Sequence, residues 1–196
     1  MNLSIETTPV SLLLMATIGV VSFLGFSNKE LISKTIFSPY RIHATNEWYR
    51  FLTSGFIHAD WMHLIFNMYA FALFSGTVER VFCQLMGTVW GSIAFLALFL
   101  LGVTFSHIST YFKEKNHNWY QSLGASGGVS SVLFAFIFLF PLEQMYGMPM
   151  FIVGMIYLLF SNYLVRKGST DNVNHEAHYY GGVWGVLYVI GVYPES

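Results

Sequence analysis

The sequence predicts an all-α membrane protein: a bundle of six transmembrane helices in one domain, residues 1–196, with a first loop lying at the membrane surface. Three observations carry this. The chain is 55% apolar and 10% charged, where a soluble domain averages about 25% Asp, Glu, Lys and Arg. Its nine Lys and Arg and ten Asp and Glu leave six charge-free intervals, 7–28, 61–78, 81–112, 116–142, 144–165 and 177–194, each of the roughly 18 residues a span requires. A single cysteine, Cys83, excludes an intrachain disulfide, so helix packing must hold the fold. The net charge of −1, without a basic run, supplies no phosphate-neutralising surface and excludes nucleic acid as a partner.

Val10 to Phe26 forms the first span. It follows Glu6 with no Lys or Arg before it and leads into no small-residue cleavage pattern, so it does not read as a removable signal. Ser27 to Ile57 is too polar to span and too long for a turn. Its Trp48, Tyr49, Phe51 and Phe56 among Lys29, Lys34, Arg41 and Arg50 suit short helices at the headgroups. Trp61 to Phe82 makes the second span and Thr88 to His107 the third, with a polar stretch from Ser109 to Gln121 after it.

The fourth span is short. Its apolar part, Ser126 to Phe140, rises only about 22 Å against roughly 30 Å of hydrocarbon. With its far end at Pro141, its N-terminus starts inside the membrane, and the irregular Gly124-Ala125-Ser126-Gly127-Gly128 is tolerated there only beside protein or a water-filled cavity. A recessed polar cavity at Ser126 is therefore expected. Met148 to Val165 and Ala177 to Val192 complete the set, with Arg166 to Glu176 as the last loop.

Polar groups inside spans are costly and mark function. His58, His63 and Asn67 attend the second span, the last two four residues apart and so stacked on one helical face. Ser126 reads two ways. Flanking glycines and a helix N-terminus suit a nucleophile with N–H groups ready for an oxyanion, while Gly127, Ser131 and Ala135 at four-residue spacing form a packing ridge. His178 opens the sixth span, followed by Gly181 and Gly185, which give that span a small face of its own. If the two small faces meet, Ser126 and His178 lie at the same end of the contact, where the imidazole can take the hydroxyl proton and return it to a leaving amine. A polar helix cap is the alternative for His178. Glu176 points to another face, so a Ser-His dyad without a third acid is expected; His175 and Glu176 read as solvated loop residues, with His175, one turn above the small face, the competitor for the base.

The ordered set Tyr49-Arg50, His58-Ala59-x-x-x-His63-x-x-x-Asn67, Gly76-x-Val78-Glu79, Gly124-x-Ser126-Gly127 and Ala177-His178-x-x-Gly181 resembles the rhomboid family of intramembrane serine proteases over most of the chain. The resemblance implies a rhomboid-type bundle with Ser126 as nucleophile and His178 as general base. His63 and Asn67 become oxyanion donors beside the Ser126 N–H, and Gly124, Gly127 and Gly181 shape the site. His58 and Glu79 become structural, Glu79 fixing the cytoplasmic end of the second span, and Arg50 anchors the first loop. Two positions depart from the pattern. Ser130 stands where the family carries an aromatic that stacks on the catalytic His, leaving Tyr179 or Tyr180 to be recruited, and Trp48-Tyr49-Arg50 alters the usual Trp-Arg pair.

The implied activity is serine endopeptidase cleavage of transmembrane protein substrates within a lipid bilayer, with no cofactor and no metal. The implied location is multi-pass in a bacterial cytoplasmic (inner) membrane. A catalytically inactive relative that binds transmembrane helices is the alternative, and a histidine-based transporter is weaker, since no acidic ligand lies within a span. The family topology places the first, third and fifth loops outside. Those loops hold Lys29, Lys34, Arg41, Arg50, Lys113, Lys115, Arg166 and Lys167 against Arg80 alone inside, so charge by itself predicts the reverse orientation.

Overall fold

The structure, a computed structural model, describes residues 8–167 and 174–192. The chain is mostly helical, and each helix starts or stops where the sequence punctuates it. Pro9 opens α1 (Pro9–Ser27), and Asn28 both closes it and caps α2 (Lys29–Thr35) by accepting the Leu31 N–H. Pro39 begins α3 (Pro39–Thr45), which ends on left-handed Asn46. A single turn, α4 (Arg50–Thr53), runs into a 3-10 turn at Ser54–Phe56.

Asp60 caps α5 (Trp61–Met86) through the His63 N–H. Gly87, at φ +79°, turns the chain into α6 (Thr88–Ser106), and α7 (Ile108–Glu114) continues from it. A β-bridge between Phe37 and Ser122 then ties the first loop to the segment entering α8 (Ser126–Leu139). Strands β1 (Gln144–Met145) and β2 (Met148–Pro149) pair around Tyr146-Gly147, both at positive φ, before α9 (Met150–Lys167) and α10 (His175–Val192).

Among the described residues two stretches, Pro9–Ser27 and Thr88–Glu114, are long and apolar enough to cross a membrane, while Ser126–Leu139 and Met150–Tyr163 are apolar but shorter. The loop expected over Arg166 to Glu176 is described only at its ends, residues 168–173 lying outside the described residues. His175 and Glu176 are not loop residues as expected: they form the first turn of α10, and Glu176 pairs with Lys113 of α7. An acidic side chain in a first turn also suits the helix dipole.

At the centre lies α8, buried at every residue from Gly127 to Ile137. It meets α10 through small residues: a Cβ on Gly181 would stand 2.3 Å from the Gly127 carbonyl oxygen, and one on Gly185 2.2 Å from that of Ser131. The Ser131 hydroxyl donates to the carbonyls of Gly127 (2.8 Å) and Gly181 (2.9 Å). The two small faces thus meet backbone to backbone. Phe71, Phe95 and Phe99 fill the other side between α5 and α6.

Candidate active site

Two buried charges set the frame. Glu79 of α5, fully buried, accepts from the Val10 N–H (3.0 Å), the Ser11 N–H (2.8 Å) and the Ser11 hydroxyl (2.6 Å). A carboxylate on the free N–H groups of α1 satisfies both partners and meets the positive end of the helix dipole. Arg50, also fully buried, donates to the carbonyls of Ser33 (2.9 Å) and Ile36 (2.8 Å) at the end of α2 and pairs with Glu47. Burial pushes the Glu47 carboxyl up, but hydrogen bonds from Thr45, Arg50 and Tyr49 and the Arg50 charge hold it down at about 2. Arg50 thereby fastens the first loop to itself.

From that loop, His58 reaches the residue before the serine. The Ala125 N–H donates to His58 Nε2 (3.3 Å), which leaves the proton on Nδ1 to donate to the Ser22 hydroxyl (2.8 Å), and Ser22 in turn donates to the Phe56 carbonyl (3.1 Å). Alongside, the Gly124 N–H donates to the Ser54 carbonyl (2.9 Å). Ser54 Oγ lies 3.3 Å from Nε2 of His107, whose ring stacks on Phe37 at 4.1 Å. Gly124 has φ +122°, and a Cβ there would stand 2.6 Å from the His63 ring, so both backbone and space demand glycine. The turn leading into Ser126 is thus pinned at two successive amides.

Ser126 begins α8 half-buried, at a cavity of about 430 Å³ that His178, His63, Asn67, Ser130 and Tyr157 also line. The contact of Gly127 with Gly181 is the reason: one sits next to Ser126, and the other lies one turn after His178. His63 and Asn67 enter from α5, with the Asn67 amide donating to the His63 carbonyl (2.9 Å). Apolar Met62, Phe66, Ala70 and Val129, with the acidic Asp60, complete the wall. A serine, a histidine and two further side chains able to donate hydrogen bonds, all lining one cavity, form an arrangement suited to acyl transfer. Arg50 and Glu79 lie outside it, at the loop and at α1. Among the described residues no group of three or more His, Cys, Asp or Glu is placed to hold a metal ion.

Neither Tyr179 nor Tyr180 takes the place of the missing aromatic. Their rings pack on each other at 5.4 Å. The ring stacked on His178, at 6.0 Å between centroids and 30° between planes, is Tyr157 of α9, and its hydroxyl lies 2.7 Å from Ser130 Oγ. Sequence reasoning missed Tyr157, along with His107 and Ser22. For Tyr157 a signal existed: Gly154, one turn earlier, marks the face of α9 that packs closely on α8.

The Rhomboid domain family model matches residues 45–195, more than half of the chain. The "Putative rhomboid protease YdcA" of Bacillus subtilis (strain 168) is 26% identical over 149 residues, covering 74% of this chain and 67% of that protein. The "RHOMBOID-like protein 12, mitochondrial" of Arabidopsis thaliana is 25% identical over 165 residues, 77% of this chain. The chain spans about half the length of the Arabidopsis relative, at 46%.

Proposed function

Because the chain belongs to the rhomboid family, we propose that it is an intramembrane serine endopeptidase that cleaves transmembrane segments of other membrane proteins with Ser126 and His178. The observation that carries this reading is that both residues, together with His63 and Asn67, line one cavity. Ser126 Oγ attacks the scissile carbonyl while His178 accepts its proton, and the C–O bond forms as the carbonyl oxygen gains charge. His63, Asn67 and the Ser126 N–H stabilise that oxyanion. It collapses, the C–N bond breaks, and His178 returns the proton to the leaving amine. Water from the cavity, deprotonated by His178, then hydrolyses the acyl-enzyme. Metal plays no part in this scheme.

Spanning follows from the same reading. Helices α1, α5, α6, α8, α9 and α10 supply six passes, multi-pass in a bacterial cytoplasmic membrane, with the first loop at the outer surface. The recessed serine needs α8 to begin inside the bilayer, and its 14 residues rise about 21 Å.

A fluorophosphonate probe tests the activity. Labelling that disappears in Ser126→Ala and His178→Ala, together with loss of cleavage of single-span substrates in liposomes, is the expected result. An unlabelled parent would make the chain an inactive relative that binds transmembrane helices without cutting them.

A further inference from the structure

Resting on the reading of His178 as general base, we propose that Tyr157 is its positioning residue, held by Ser130, so that the base is oriented from α9, a helix carrying neither member of the dyad. His178 is half-buried at an open cavity, and on its own helix the next turn is Gly181-Gly182. On the turn before it the His175 ring meets the imidazole edge-on at 5.5 Å, whereas the glycines of the turn after offer its face no side chain. Tyr157 supplies one, its ring stacked on the imidazole at 6.0 Å and 30°.

The phenol is fixed at its far end by Ser130, at 2.7 Å. Ser130 lies one turn beyond Ser126 on α8 and is 1% exposed. Its side chain is too short to reach the imidazole itself, and a large residue there would displace Tyr157. Serine at 130 and tyrosine at 157 therefore work as one unit. Gly154 permits it: a Cβ at that position would stand 2.8 Å from Ile137 Cδ1, so α9 sits close enough to α8 for the two hydroxyls to meet. A displacement of α9 from α8 withdraws the support of the base.

The test is kcat and KM for cleavage, with fluorophosphonate labelling rate and melting temperature measured on the same samples. Tyr157→Ala is expected to lower kcat and labelling about 10- to 100-fold with KM within about twofold, as a misdirected base would. Tyr157→Phe and Ser130→Ala should each cost about two- to fivefold, and their combination no more than either alone. Moving the ring back to α8 with Ser130→Tyr plus Tyr157→Ala should recover about tenfold over Tyr157→Ala. In that background Gly154→Leu, which pushes α9 outward, should cost nothing further, whereas in the parent it should mimic Tyr157→Ala.

A parent that labels at Ser126 while Tyr157→Ala cleaves and labels equally well per folded molecule overturns the role of Tyr157 and leaves the dyad standing. Failure of the relocated ring to recover activity overturns it too, as does additivity of Tyr157→Phe with Ser130→Ala, which carries the decision should Tyr157→Ala not fold. A parent that does not label at all removes the general base first, and this role with it.

Discussion

Replacing Gly181 by Ala tests whether the α8–α10 contact sets the catalytic geometry. The added Cβ would stand 2.3 Å from the Gly127 carbonyl oxygen and 3.0 Å from its Cα and carbonyl carbon, where ordinary contact begins at 3.4 Å. Those atoms are backbone in the buried first turn of α8 and cannot rotate away, so the helices must part by about 1 Å. Overpacking of this kind costs about 1–3 kcal/mol of stability. The separation also stretches the Ser131 hydroxyl bond to the Gly181 carbonyl. Because Gly127 adjoins Ser126 and Gly181 lies one turn from His178, the displacement passes directly into the dyad, and a misplacement of about 1 Å costs roughly 100-fold in rate. Gly185→Ala makes an equally close clash, 2.2 Å from the Ser131 carbonyl, but one turn further from His178. It should destabilise equally and slow cleavage less. Gly191→Ala, with nothing within 4 Å, is the control. The assay is kcat per folded molecule, with melting in detergent measured alongside. If Gly181→Ala retains parental kcat, or loses activity only in proportion to its folded fraction, the coupling of packing to chemistry argued here is refuted.

Loss of either oxyanion donor, by His63→Ala or Asn67→Ala, should lower kcat by roughly 10- to 1,000-fold with KM little changed; a fall in melting temperature with unchanged kcat per folded molecule would make them helix cross-links instead. Glu79→Gln places an amide NH₂ among the two N–H groups and hydroxyl of Val10 and Ser11 and should cost about 1–3 kcal/mol in thermal unfolding, with kcat per folded molecule retained. The carboxyl of Glu47 is depressed from 4.5 to about 2, so its contribution is complete above its unfolded value and drains away as pH falls toward 2. The parent's melting temperature should therefore decline more steeply than that of Glu47→Gln between about pH 5 and pH 3, and parallel curves would dismiss this contribution.

How much of this could be read beforehand depended on whether the information was local. Helix positions were legible within a few residues because they rest on signals inside each segment: the charge-free runs outline the long helices, and the Gly124–Gly128 irregularity marks where α8 begins. The meeting of the Gly127 and Gly181 faces was legible too, since small residues at helical spacing leave little else for those faces to do. Partnerships across helices were not. Which aromatic lies over His178 depends on the rotation and height of α9, which no periodicity within α9 encodes, so the nearer Tyr179 and Tyr180 looked equally eligible. Glu176 was misread for a similar reason. Its partner Lys113 comes from α7, a short helix whose placement over α10 emerges only from the assembled bundle.

The burial of α8 from Gly127 to Ile137 bears on how such a protein is made. A helix of 14 residues is too short to be stable alone in a bilayer, and it carries serines that lipid does not welcome. Its place must be prepared by α5 and α6, which emerge from the ribosome before it, and sealed by α9 and α10, which emerge after. Until then Ser126 sits on a segment without a settled depth. The later α10 brings both His178, the base proposed above, and the glycine face that locks α8 in position. The proposed dyad is therefore assembled only once α10 has packed against α8, and an intermediate lacking α10 holds Ser126 without its partner.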